Sequence, residues 1–62
     1  MEASTTIRIA RKVMMSEVDE MIDWLRLHDA YYEFTGVGME LITFQHKQHE
    51  IDAMAFRLRF GL

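Results

Sequence analysis

Two glycines near the middle of the chain, Gly36 and Gly38, are the feature that most limits what it can fold into. An aromatic and β-branched run precedes them at 31–35, and a second apolar run follows at 39–44. Residues of this kind favour strands, and glycine readily adopts the positive φ that a tight turn between two strands requires. The sequence therefore predicts a β-hairpin at 31–44.

The beginning of the chain has the pattern of a further strand. Residues 5–11 include β-branched side chains and alternate in character. Ile7 and Ile9 point to one side of such a strand. Arg8 and Ala10 point to the other side. We predict a strand over this segment and expect residues 1–4 to form a flexible tail before it.

The segment between this strand and the hairpin has the pattern of an amphipathic helix. Ser16 suits an N-cap, and the acidic residues after it suit the positive end of the helix dipole. Apolar residues recur at the i, i+3, i+4 and i+7 positions that form one stripe of a helix, namely Val18, Met21, Ile22 and Leu25. We predict a helix from Ser16 to about His28 with this stripe buried.

The last segment of the chain fits two different structures. The same helical spacing predicts a helix with a buried stripe that consists of Ile51, Met54, Ala55 and Leu58. A fourth strand is the alternative, because apolar and basic residues alternate over 56–60. No turn signal directly precedes this stretch, and Gly61 suits the position after a helix. We therefore predict a helix from about Lys47 to Phe60.

These elements predict a two-layer α+β fold in the order β-α-β-β-α. The hairpin strands pair with each other, and a right-handed crossover leaves the third strand between the other two. The expected sheet is three-stranded with order 1-3-2, and both helices cover one face. This arrangement resembles a ferredoxin-like fold that lacks its last strand. It would leave the outer edge of the first strand unpaired and the second sheet face uncovered.

Composition excludes several classes of protein. The chain has 62 residues and no cysteine, so we expect one small domain over residues 1–62 without disulfides or thiolate metal sites. No apolar run approaches the roughly 20 residues of a membrane helix, and the first residues lack the apolar core of a signal peptide. The net charge is −3. We expect a cytoplasmic protein that does not insert into membranes.

Residues that could bind metal or carry catalysis form no specific pattern. His46, His49 and Glu50 have a spacing that could surround an ion, but they lie at the start of the predicted second helix. We interpret them as polar residues of a solvated helix end. The two serines, Ser4 and Ser16, lie in a tail and at a helix cap. We expect no enzymatic activity, no cofactor and no bound metal.

Basic and aromatic residues support an alternative function in nucleic-acid binding. Arg8, Arg11 and Lys12 cluster on or after the first strand, and Tyr31 and Tyr32 could stack on bases, as in RNA-recognition folds. Nucleic-acid-binding domains usually carry a basic excess, whereas this chain is acidic. Charged residues on an edge strand also discourage random pairing. A small nucleic-acid-binding or regulatory protein, dimeric or not, is therefore the second hypothesis.

The unpaired edge and the uncovered sheet face are the favoured binding surfaces. An open edge accepts a strand from a partner protein, and exposed apolar residues mark binding sites. The predicted edge residues are Ile7, Arg8, Ile9, Ala10 and Arg11. The predicted face residues are Tyr31, Met39 and Leu41, whereas the opposite register of the hairpin strands would expose Ile42 and Phe44 instead. A homodimer in which two first strands pair across a two-fold axis would use the same edge.

The last third of the chain resembles a group of known proteins. The strand Ile42-Thr43-Phe44 and the segment 52–61, which has an acidic and small start and the ending Phe-Arg-Leu-Arg-Phe-Gly, resemble short accessory proteins of tailed bacteriophages. This resemblance implies a protein that acts in the cytoplasm of a host bacterium. It also implies that the partner is a host protein, which the phage protein binds and inhibits or redirects.

Overall fold

The computed structural model describes residues 3–62, which form three strands and two helices around one core. Their order is β-α-β-β-α, as predicted. The elements are β1 (Ser4–Arg8), α1 (Arg11–Leu27), β2 (Tyr32–Thr35), β3 (Leu41–Gln45) and α2 (His49–Phe60). Of the predicted tail, Met1 and Glu2 lie outside the described residues, whereas Ser4 belongs to β1.

The sheet is antiparallel and has the predicted order β1-β3-β2. The central strand β3 pairs with both neighbours, so Ile42 lies between Ile7 of β1 and Phe34 of β2. This register places Ile7, Phe34, Ile42 and Phe44 on the same face. A shift of one residue would move the whole apolar set of a strand to the other face, so the buried face specifies the register.

One face of the sheet and both helices enclose the core. Ile7, Ile42 and Phe44 supply the sheet side and are buried. The buried helix residues of the same cluster are Met14, Met21, Leu25, Ala53, Phe56 and Phe60. Three aromatic rings follow one another at its centre, with centroids 5.4 Å apart for Phe44 and Phe56 and 4.8 Å apart for Phe56 and Phe60. Among residues 3–62, no polar or charged side chain is buried.

The first helix begins earlier than the sequence predicts. It starts at Arg11 rather than Ser16, because the stripe formed by Met21 and Leu25 continues back to Met14, which is also buried. Residues 11–15 contain good helix formers and no Gly or Pro. Ser16 is not an N-cap. Its hydroxyl donates within the helix to the carbonyls of Lys12 and Val13.

The first strand is correspondingly shorter than predicted. It ends at Arg8, and Ile9 continues the ladder with one hydrogen bond from its N–H to the Glu40 carbonyl at 2.6 Å. Ala10 is the N-cap residue of α1 with φ −59° and ψ 137°, and its carbonyl accepts the first helical hydrogen bond from Met14 at 2.9 Å. The segment predicted as a strand at 5–11 therefore contains the boundary between two elements.

The second helix confirms the helical prediction for residues 56–60, but it buries a different face. Its buried residues are Ala53, Phe56 and Phe60, whereas the predicted stripe is turned away from the sheet. Ile51, Met54 and Leu58 are exposed, and Ala55 is half-buried. Both sets have helical spacing, and the core takes the set with the two large aromatic rings, which bury more apolar area.

The hairpin turn and the end of α2 both depend on positive φ angles. Gly36 has φ 94° and Met39 has φ 57°, so β3 begins at Leu41 rather than at the predicted residue 39. Gly61 is the left-handed C-cap of α2 with φ 68°, as the sequence predicts. Among residues 3–62, neither helix has the length and apolarity needed to cross a membrane.

Candidate interaction surface

The outer edge of β1 is open in the part of the chain that the structure describes. In an antiparallel ladder, main-chain groups point alternately to the neighbouring strand and to the free side. The hydrogen bond from Ile9 to Glu40 fixes this alternation, so Thr5 and Ile7 bond to β3. The N–H and C=O groups that point outward are those of Ser4, Thr6 and Arg8.

Part of the predicted edge occupies this position. Arg8 is the last residue of β1, and its side chain is exposed. Ile7 and Ile9 are buried in the core, so their side chains do not face a partner. Ala10 and Arg11 lie beyond the strand, at the N-cap and the first residue of α1. Of the five predicted edge residues, Arg8 combines outward main-chain groups with an accessible side chain.

The predicted face residues do not form one patch. Leu41 lies on the uncovered face and is half-buried. Tyr31 precedes β2 opposite Gln45, and its ring packs on His46 with centroids 4.2 Å apart. Met39 lies in the turn at the other end of the sheet. Because Gln45 is four residues from Leu41 along β3, the two ends are separated by about 13 Å.

The uncovered sheet face is mostly polar, which differs from the expected apolar surface. Its side chains come from alternate residues of the three strands: Ser4, Thr6, Arg8, Glu33, Thr35, Leu41, Thr43 and Gln45. The hydroxyls of Thr6 and Thr43 are 2.9 Å apart and share a hydrogen bond across β1 and β3. A sheet face with this composition is suited to water.

A groove of about 450 Å³ connects the edge strand β1 to α2. Thr5 lines it from the strand, and the apolar lining consists of Ala53, Met54, Leu58 and Leu62. Glu50 and Arg57 add one charge of each sign. The groove therefore places apolar helix residues beside a strand whose outer main-chain groups are unpaired.

The exposed side of α2 carries an apolar surface, although the helical spacing predicts that these residues belong to the core. We call Ile51, Met54, Ala55 and Leu58 the α2 stripe. Ile51, Met54 and Leu58 are 68%, 65% and 79% exposed, and all four residues line a second shallow concavity of about 320 Å³. The sequence contains a signal for this surface, because α2 has two apolar stripes. Besides the α2 stripe, Ala53, Phe56 and Phe60 also recur at helical spacing. Two apolar stripes on one helix indicate two surfaces to cover.

The basic and aromatic residues of the nucleic-acid hypothesis are not brought together. Arg8 lies at the hairpin end of the sheet, and Arg11 and Lys12 lie on the first turn of α1. Tyr31 lies at the opposite end, beside Gln45. Tyr32 is half-buried on the helix side of the sheet, where its ring contacts Phe34 with centroids 5.4 Å apart. The two tyrosines therefore do not form one platform for stacking bases.

The two histidines near α2 have separate environments. His46 has φ 70° in the turn before the helix. His49 begins α2, and its Nδ1 lies 2.7 Å from the Thr5 hydroxyl, which ties the start of the helix to β1. No group of three or more His, Cys, Asp or Glu side chains converges within the described ranges.

Searches of protein-family models, of curated proteins and of solved structures found no match to this chain.

Proposed function

We propose that this protein is a small non-enzymatic binding module that accepts an extended segment of a partner protein as a fourth strand beside β1. The observation that carries the proposal is the open β1 edge with the apolar groove next to it. Strand addition uses main-chain hydrogen bonds for affinity and pockets at alternate positions for specificity. Support for both requirements comes from the outer side of β1, where no strand of the described residues pairs with Thr6, and from the groove between β1 and α2.

The groove defines the chemistry of the segment. A strand added to β1 directs every second side chain toward the helix layer, as Thr5 does. Those side chains enter a lining formed by Met54, Leu58 and Leu62, so we expect apolar residues at alternate positions. Methionine adapts to different apolar shapes, which suits a groove that receives side chains. The intervening residues lie over the polar sheet face and are expected to be polar.

The resemblance of the last third of the chain to phage accessory proteins supplies the biological setting of the proposal. In that setting the partner is a host bacterial protein in the cytoplasm. Adding a strand to β1 would hold a segment of that protein in an extended conformation. The outcome would be inhibition or redirection of the host protein, because the held segment can no longer take part in its own contacts.

The test uses a substitution in β1 that removes one main-chain N–H pointing away from β3 and keeps every N–H that bonds to β3. Thr6→Pro removes an N–H that points away from β3, and proline is tolerated on edge strands when its nitrogen faces solvent. Thr6→Val is the matched control, because it loses the hydroxyl and keeps the N–H. Tagged wild type and both variants are incubated with nuclease-treated bacterial lysate. Any captured protein is then purified and its affinity measured by calorimetry.

We expect wild type and Thr6→Val to bind the captured protein equally, and Thr6→Pro to bind at least about tenfold more weakly, since a lost hydrogen bond leaves a partner carbonyl unpaired. Amide resonances of Ser4, Thr6 and Arg8 should shift on binding. Wild-type affinity of a folded Thr6→Pro variant would remove the β1 edge from the proposal. Capture that nuclease abolishes, with affinity that falls steeply with salt, would favour the nucleic-acid alternative instead.

A further inference from the structure

The α2 stripe is an apolar helix face for which the described part of the chain provides no cover. Ile51, Met54 and Leu58 lie on the side of α2 opposite Ala53, Phe56 and Phe60, which are buried. Three of the large exposed apolar residues of this protein are therefore neighbours on one face of the helix. Contiguous exposed apolar residues of this kind mark an interface.

Two charged residues beside the α2 stripe indicate which kind of surface is complementary to it. Glu50 and Arg57 are seven residues apart, which is about two helical turns, so they lie on the same flank of α2. Both also line the groove on the β1 side of the helix. The acid lies at the beginning of the helix and the base lies at its end. When two such helices pack antiparallel about a two-fold axis, this flank of one helix lies beside the same flank of the other, so Glu50 of each copy lies opposite Arg57 of its partner.

The apolar residues have the same symmetry. Over residues 50–59 the sequence reads acidic, apolar, acidic, four apolar residues, basic, apolar, basic. Both acids therefore lie in the first half of the segment and both bases lie in the second half, so an antiparallel copy brings the acidic half of one helix beside the basic half of the other. In an antiparallel pair, Ile51 then faces Leu58 of the second helix, and the two Met54 side chains meet near the centre.

We propose that the chain forms a two-fold homodimer in which α2 packs antiparallel on α2 of a second copy. A two-fold axis requires a surface that is complementary to itself. The α2 stripe with its Glu50 and Arg57 flank has this property, which a surface shaped for an unrelated partner does not need. This dimer differs from one formed by pairing of two β1 strands, because it leaves the strand edge open.

The interface is small, so the dimer should dissociate on dilution. A standard interface buries about 800 Å² on each partner, whereas the total surface of this chain is 4706 Å². One helix face provides less than the standard area, which corresponds to weak or transient association. Met54 and Leu58 also line the groove beside β1, so a second copy and a strand partner compete for these two side chains.

The test uses charge exchange across the proposed two-fold axis. Sedimentation equilibrium of the purified full chain measures the dimer dissociation constant of wild type, Arg57→Glu, Glu50→Arg and the double variant. Each single change places like charges opposite each other twice per dimer, so we expect on the order of tenfold weaker association. The double variant restores opposite charges and should return to the wild-type constant. Strong association of the double variant and weak association of both single variants is specific to antiparallel self-pairing.

Apolar substitutions provide the second arm of the test. Ile51→Asp places a charge within the stripe and should yield a monomer, and Leu58→Glu is a second variant with the same expectation. Leu27→Asp is the control, because it removes an exposed apolar residue from α1. A monomeric wild type at millimolar concentration, or a double variant that stays as weak as the single variants, would overturn the proposal. Loss of the dimer in Thr6→Pro with retention in Ile51→Asp would assign the interface to β1.

The dimer and the proposed function can fail independently. Ile51 does not line the groove beside β1, so Ile51→Asp tests the dimer without changing the surface for a strand partner. Thr6→Pro tests the strand edge without changing the α2 stripe.

Discussion

Single residues that adopt positive φ fix the places where this chain changes direction. In the hairpin turn, Gly36 has φ 94°, and a Cβ built on it would lie 3.0 Å from Cγ of Glu40. Gly38, two residues later, has open space around the corresponding position. The two glycines look equivalent in the sequence, but Gly36 is the one that the backbone requires.

We expect Gly36→Ala to lower the free energy of unfolding by about 1–2 kcal/mol, because an L-residue at this φ is strained. For a domain of this size that corresponds to a decrease in the melting temperature of about 4–8 °C for each kcal/mol. Gly38→Ala is the matched control and should change stability by less than about 0.5 kcal/mol. Thermal unfolding followed by circular dichroism measures both. Equal effects of the two substitutions would contradict the assignment.

At the scale of elements, α2 shows how an element can be predicted correctly and oriented wrongly. The helix at 56–60 is confirmed, yet Leu58 is exposed and Phe56 is buried. Helical spacing finds an apolar stripe, but it does not choose between two stripes on one helix. The choice depends on which set fills the space above Phe44, and that volume exists only once the sheet has formed.

This orientation predicts opposite results for two neighbouring truncations. Phe56→Ala removes a ring that contacts Phe44, Phe60 and Trp24, so it should cost about 3–5 kcal/mol. Since the free energy of unfolding of a 62-residue chain is expected to be about 3–9 kcal/mol, this variant should lose a large part of its stability. Leu58→Ala should stay within about 0.5 kcal/mol of wild type when measured in dilute solution. Urea titration of both variants distinguishes this orientation from its reverse.

The other elements divide into those that local chemistry determines and those that it does not. The hairpin and the sheet order follow from Gly36, Gly38 and the strand residues around them, and both are confirmed. The sequence places the start of α1 at Ser16, which has the chemistry of a cap, whereas packing of Met14 in the core extends the helix back to Arg11. The edge of β1 was predicted to be open, but which of its residues face outward depends on the hydrogen bond from Ile9 to Glu40.

On the scale of the whole molecule, the small core limits stability, and the uncovered face of α2 offers further apolar surface that association can bury. A chain of 62 residues buries only about 60% of the surface that its unfolded form exposes. Association that covers the α2 stripe would add apolar burial that the single domain lacks. Stability and self-association should therefore be coupled in this protein.

This coupling predicts a melting temperature that rises with protein concentration, because a ligand that binds the folded state stabilises it by mass action. Between about 10 µM and 1 mM we expect an increase of several degrees for wild type. Ile51→Asp should show no such increase, and Leu27→Asp should behave as wild type. Differential scanning calorimetry at several concentrations provides the measurement, and a concentration-independent wild type would contradict the coupling.

The three-stranded sheet has two open edges in the described residues, one at β1 and one at β2. Successive molecules could join β1 of one to β2 of the next, and such head-to-tail contacts repeat without closing. The result of that geometry is a growing filament rather than a complex of fixed size. The strands are five and four residues long and carry Arg8 and Glu33, and short, charged edges of this kind oppose polymerisation. The open edge that the proposed strand addition uses is therefore also the edge at which these charges oppose polymerisation.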